Sequence, residues 1–129
     1  MSDSELWARW FLIIAAAAFL FGYALPLFFV PLRWARVFRW TLPDDDALCV
    51  YLGRCLGGVA VALVVGCLTA AVDPARNSII LLTVAVACGL MTVVHIWGAL
   101  ARRQPWPEHL EIPMYAILAV AAGFFYAAL

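Results

Sequence analysis

Four apolar runs, at residues 7–30, 47–72, 78–101 and 112–129, occupy nearly the whole of this 129-residue chain. The hydrocarbon core of a bilayer is ~30 Å thick and takes roughly 20 residues of helix to cross, so each run is long enough to span it. Lipid offers the backbone no hydrogen-bond partners, which leaves helices that pair their own N–H and C=O groups. The expected fold is therefore all-α: one integral membrane domain over residues 1–129, built as a four-transmembrane-helix bundle with a short interfacial amphipathic segment.

Composition removes several classes of function. Hydrophobic residues make up 67% of the chain and charged residues 12%, far from the balance of a soluble domain. The longest stretch between runs, 31–46, is too short to bury a core of its own. Eight arginines, with no lysine, offset eight acidic residues to a net charge of zero, which leaves no basic excess for nucleic acid. The acidic leader Met-Ser-Asp-Ser-Glu and the length of the run behind it are unlike a cleaved signal peptide, so the first run is read as a retained span. Cys49, Cys55, Cys67 and Cys88 form no Cys-x-x-Cys pair, and thiols so placed act as small apolar fillers.

The arginines also orient the chain. Arg33, Arg36, Arg39, Arg102 and Arg103 fall in the two loops on one side of a four-span bundle, whereas Arg9 and Arg76 fall on the other. Such a bias places the first set in the cytoplasm, with both termini outside it, as in a bacterial inner membrane. Residues 31–43 space Arg33, Arg36 and Arg39 three apart among Trp34, Phe38 and Trp40. That spacing suits a short helix lying in the headgroup plane, or a solvated connector whose tryptophans join the interfacial belt.

Helices gain no hydrophobic energy by leaving lipid for one another, so packing relies on small residues. Stripes of these run along the first span (Ala15, Ala18, Gly22), the second (Gly53 and Gly57, then Gly58, Ala62 and Gly66) and the fourth (Ala119, Gly123, Ala127); all three are expected to face inward. Pro26 removes one backbone donor and bends the first span, and the carbonyl it frees needs another partner. Asp44, Asp45, Asp46 and Asp73 suit helix starts.

Charged side chains inside a span are costly and usually face protein or water. Arg54 lies ~10 Å along the second span at 1.5 Å per residue, on a face with Tyr51, Gly57 and Gly58, and is expected to point into the bundle. His95 approaches from the same side on a face with Thr92, and the fourth span opens there with Glu108, His109, Glu111 and Tyr115. Two arrangements are open. In one, Arg54 is neutralised by Glu111 or Glu108, with His95 bonded to Thr92 or a loop carbonyl, and the cluster locks the bundle. In the other, Arg54, His95 and Glu111 are catalytic or binding groups in a pocket with Tyr51, Thr92, Glu108 and Tyr115, where His95 exchanges a proton near neutral pH. The histidines and glutamates lack a recognised metal-ligand spacing such as His-Glu-x-x-His, so no metal is expected, and no cofactor is named.

The first span ends in proline-containing chain, Tyr51-Leu-Gly-Arg-Cys-Leu-Gly-Gly58 opens the second, and a polar residue comes late in the third. This layout resembles the small DoxX-like four-helix membrane proteins. The resemblance implies a compact four-helix bundle and, for some members, association with membrane redox complexes; it transfers no catalytic residue. Small multidrug exporters, which need an acidic residue within the first span, and thiol oxidases, which need paired cysteines, fit less well. The expected function is that of a non-enzymatic accessory or assembly subunit or a lipid-binding bundle, whose partners are membrane lipids and a membrane protein or a second copy of itself. The rival is a membrane-embedded enzyme or binder of a quinone, sterol or isoprenoid.

Cysteine labelling checks the orientation. A cysteine introduced at Arg103 should resist a membrane-impermeant thiol reagent in intact cells and react once the membrane is permeabilised.

Overall fold

The computed structural model describes residues 2–129, which form helices and the turns between them, with no strand among the described residues. Four stretches are long and apolar enough to cross a membrane: Asp3–Phe29, Ala47–Val72, Ile79–Leu100 and Trp106–Ala128. The chain is an integral membrane protein of four spans. Its helices are α1 (Asp3–Phe19), α2 (Leu25–Phe29), α3 (Pro31–Val37), α4 (Ala47–Val72), α5 (Ile79–Leu100) and α6 (Glu111–Ala128); a π-helical turn, Leu20–Ala24, joins α1 to α2, and a 3₁₀ turn, Trp106–Leu110, precedes α6.

Helix α1 begins four residues before its apolar run, because Ser2 and Glu5 form a reciprocal capping box. Their side chains satisfy N–H groups that the first turn leaves open, so the acidic leader is the head of the span. At its other end Pro26 has no N–H to give Gly22, the residue four back. The Trp34 indole donates to the Gly22 carbonyl instead, at 3.0 Å. The π turn ending one residue before α2 carries the widened ladder that such an interruption produces.

The four spans sit as two pairs. The first span packs along α4, α5 packs closely along α6, and the pairs meet along narrower seams, α1 against α6 and α4 against α5. Gly57 sets the first pair's closest approach: a Cβ there would lie 2.5 Å from the Phe28 backbone nitrogen, and one at Gly53 would lie 2.6 Å from the Pro31 side chain. These two glycines face inward as expected. The other stripes do so only in part: a Cβ at Gly58 would meet Phe28 and one at Gly66 would meet Ile80. Ala18, Gly22, Ala62 and Ala127 are exposed, and nothing lies within 4 Å of where a Cβ would stand at Gly22 or Gly123. The interior is lined by Ala8, Leu12, Ala16, Ala60, Val64, Cys67, Ala70 and Ala122. Small residues permit close packing, but their spacing alone does not choose the face.

Arg9 ties the closed end of the first pair. Its Nε and Nη2 donate to the carbonyls of Ala71 and Val72 at 2.8 and 2.7 Å, placing a cation on the unsatisfied end of α4. Asp73 does not start a helix; its carboxylate accepts from the Arg76 amide at 3.1 Å and shapes the turn before α5. Asp45 accepts from the Ala47 amide at 3.2 Å, whereas Asp46, the residue flanking α4, makes no side-chain cap.

The amphipathic segment is helical only over α3, and the chain turns at Arg39, whose φ is 64°. Arg39 and Trp40 donate their amides to Arg36 and Ala35, the paired bonds of a Schellman ending. Helix α5 ends the same way, with Arg102 at φ 53° and the amides of Arg102 and Arg103 reaching Ala99 and Gly98. A left-handed arginine costs roughly 1 kcal/mol that glycine would not, offset in part by a cation beside helix-terminal carbonyls. Both turns lie at the end of the bundle that carries the polar cluster.

Gly57→Ala should lower unfolding stability in mixed micelles by about 1–3 kcal/mol, the range for forcing extra atoms into packed contact, while Gly123→Ala, facing open space, should change it by no more than about 0.5 kcal/mol.

Candidate functional site

Where α5, the 3₁₀ turn and α6 converge, three titratable side chains are buried together: His95, Glu108 and Glu111. His95 projects from the last third of α5. The Pro-containing 3₁₀ turn then reverses the chain, so that Glu108 and Glu111, three residues apart, return to the same spot. His95 Nε2 lies 3.1 Å from Glu108 Oε2 and 3.2 Å from Glu111 Oε2. Its Nδ1 lies 2.7 Å from the Met91 carbonyl. A carbonyl can only accept, so Nδ1 carries a proton.

The loop after α3 completes the cluster. Trp40 donates its indole N–H to Glu108 Oε1 at 2.7 Å, and the Arg39 guanidinium stands 5.5 Å over the Trp106 ring. The Tyr115 ring lies 5.2 Å from the His95 imidazole. Tyr23, in the π turn, stacks on Phe19 and meets Trp34 edge-on.

These groups face a cleft of about 440 Å³, whose wall includes Tyr23, Trp34, Trp40, Met91, His95, Arg103, Gln104, Glu108 and Glu111. Gln104 lies flat against Gly98, where a Cβ would collide with its amide, and its Nε2 is buried with no hydrogen-bond partner. A second, apolar cavity of about 190 Å³ occupies the seam between the helix pairs, bounded by α1, α4 and α5 and by Tyr115. Tyr23 and Met91 line both spaces. The polar cleft and the apolar seam therefore adjoin.

The sequence expectations divide. His95, Glu108, Glu111 and Tyr115 come together. Arg54 does not join them: it is exposed on the outer face of α4, and the ion pairs of the cluster are those of His95 alone. A long arginine stem ~10 Å from a helix end can carry its charge to the headgroups, so the position does not force an inward face. Tyr51 is 64% exposed on that same outer side. Thr92 donates to its own helix, at Cys88 O and 2.9 Å, and His95 bonds elsewhere. His109 is exposed. Trp34 and Trp40, expected at the membrane surface with Arg33, Arg36 and Arg39, donate their indole N–H groups to the Gly22 carbonyl and to Glu108, while the three arginines are exposed.

Three contributors escaped the sequence reading: Tyr23, Trp40 as a cluster member and Gln104. For Tyr23 a signal existed, since the carbonyl freed by Pro26 draws Trp34 back onto that turn. For Trp40, 68 residues from Glu108, there was none.

Removing His95 strands two buried carboxylates. His95→Ala should destabilise the bundle by about 3 kcal/mol, the lower part of the range for unpairing a buried charge. Adding Glu108→Gln and Glu111→Gln to that variant should restore part of the loss, read as melting temperature in detergent; a triple variant no more stable than His95→Ala would refute the ionic account.

Compared with known proteins, the chain matches no protein-family model, no curated protein and no solved structure.

Proposed function

We propose that this protein binds a lipid-soluble small molecule of the quinone, sterol or isoprenoid class, with the polar end of the ligand in the His95–Glu108–Glu111 cleft and its apolar part in the seam between the helix pairs. The observation that carries this reading is the adjacency of the two spaces through Tyr23 and Met91. The unpaired Gln104 amide is a waiting donor for a carbonyl or hydroxyl oxygen, since a buried donor left unpaired costs about 1–3 kcal/mol. A cleft of about 440 Å³ falls within the usual size of small-molecule sites, about 300–1,000 Å³. Entry would be lateral, from lipid, where the helix pairs meet along their narrower seams. We place the protein in a bacterial inner membrane with the cleft facing the cytoplasm, on the arginine bias, and a DoxX-like kinship rests on helix layout.

A second reading, a non-enzymatic accessory subunit that docks a partner helix or a second copy, is favoured by Gly22 and Gly123, where an added Cβ would meet nothing within 4 Å. Native mass spectrometry in mild detergent tests it: a bare monomer counts against it.

Ligand retention tests the leading proposal. Organic extracts of the purified protein should contain one lipophilic species in stoichiometric amount. Ala87→Phe, which fills the seam without touching the cluster, should reduce that species at least about tenfold, the effect of about 1.4 kcal/mol, while leaving the melting temperature nearly unchanged. Unchanged retention in both Ala87→Phe and Gln104→Ala, or an extract holding bulk lipid alone, would overturn it.

A further inference from the structure

We propose that His95, Glu108 and Glu111 bind a divalent first-row metal ion, of which Zn²⁺ is the representative. The inference deepens the reading of the cleft as a small-molecule site, because it supplies the group such a molecule would meet.

The argument begins with protons. Nδ1 of His95 spends its N–H on the Met91 carbonyl, so Nε2 is the only ring atom left to face the glutamates. Two carboxylate oxygens approach that one nitrogen, at 3.1 and 3.2 Å. With both carboxyl groups ionised, an unprotonated Nε2 turns its lone pair on two negative oxygens and repels both. If it is protonated, a single N–H serves one oxygen well and the other poorly, and a buried imidazolium with two carboxylates leaves one uncompensated negative charge. Arg103, the one arginine on the cleft wall, makes no ion pair with either glutamate. A divalent cation among a neutral imidazole and two carboxylates brings the cluster to zero charge and satisfies all three atoms.

Distances agree. Metal–ligand bonds of about 2.0–2.1 Å put neighbouring ligand atoms about 3.0 Å apart in an octahedron and about 3.4 Å apart in a tetrahedron, which brackets the two approaches to Nε2. One ligand atom from each of the three residues lies within 4.8 Å of the other two. The surroundings have the form of a supported metal site. A ligating histidine almost always donates its other N–H to a carbonyl or carboxylate, and ligating carboxylates are themselves hydrogen-bonded. Here Met91 holds Nδ1, and Trp40 holds Glu108 by Oε1, leaving Oε2 toward His95. Mixed imidazole and carboxylate ligands suit Zn²⁺, Fe²⁺ or Mn²⁺ over thiophilic or purely oxygen-seeking ions. Three protein ligands leave at least one position open, as in sites that bind water or substrate, and the open side here is the cleft.

The test uses untagged full-length protein in mild detergent, stripped with chelator and titrated with Zn²⁺ and with Co²⁺ in the absence of any organic ligand. One equivalent should bind per chain, and the Co²⁺ form should show d–d absorption of nitrogen and oxygen ligation. His95→Ala and the Glu108→Gln/Glu111→Gln pair should abolish that equivalent. Trp40→Phe, which keeps all three ligands, should weaken binding about 10-fold or more, as loss of an outer-shell partner does. His109→Ala should change nothing. The proposal is overturned if folded wild-type protein binds no stoichiometric metal, or if the bound equivalent follows His109. A retained lipophilic ligand in protein that takes up no metal on titration would uphold the cleft and sink the metal, whereas metal binding with no retained ligand would do the reverse.

Discussion

Inside a bilayer a polar group that finds no partner in the protein finds none at all, and the irregular features of this bundle answer that constraint. Pro26 withholds an N–H from Gly22, and the Trp34 indole supplies another. Helix α4 ends with open carbonyls, and Arg9 reaches across from α1 to cover two of them. The largest demand comes from Glu108, Glu111 and His95, whose partners are drawn from one hairpin and from Trp40 in the loop after α3. Each repair crosses between elements, so the polar bonds also fix how the elements sit.

Packing follows a different rule. The first span and α4 approach closely because Gly53 and Gly57 have no side chain in the way, and α5 and α6 pack along each other with His95 of α5 held between Glu108 and Glu111 at one end. The two pairs meet along narrower seams, one of them closed by the Phe11 and Phe125 rings 5.4 Å apart. In water the hydrophobic effect would close the cavity between the pairs; in lipid it can be filled by an acyl chain or a ligand, and closing it gains little. An apolar cavity beside a polar cluster is thus the arrangement from which both the ligand and the metal proposals arise.

The polar cluster was half legible beforehand. His95, Glu108, Glu111 and Tyr115 belong to one helical hairpin, where local spacing fixes which residues meet. Arg54 was misplaced because depth along a helix was taken to imply an inward face, whereas an arginine stem can reach the headgroups from an outer one. Trp40 and Gln104 were not legible, since each arrives through a left-handed arginine turn, at Arg39 and at Arg102, a conformation arginine does not advertise. The small-residue stripes misled for a related reason: Ala18, Gly22 and Ala127 could pack but face outward.

The sequence by itself determined that the chain crosses a membrane four times, where its spans lie to within a few residues, and that Pro26 would need help. These follow from hydrophobicity and backbone valence, which are properties of single segments. Only the tertiary structure decided which face of each span turns inward, because in lipid every face of an apolar helix is at home and the choice falls to contacts between distant segments. It also decided that Nε2 of His95 would meet two carboxylates at once, a geometry set by the reversal at Trp106–Leu110 and by an indole from another loop. Spacing along the chain brought His95 and the glutamates to one end of the bundle; packing brought them into contact.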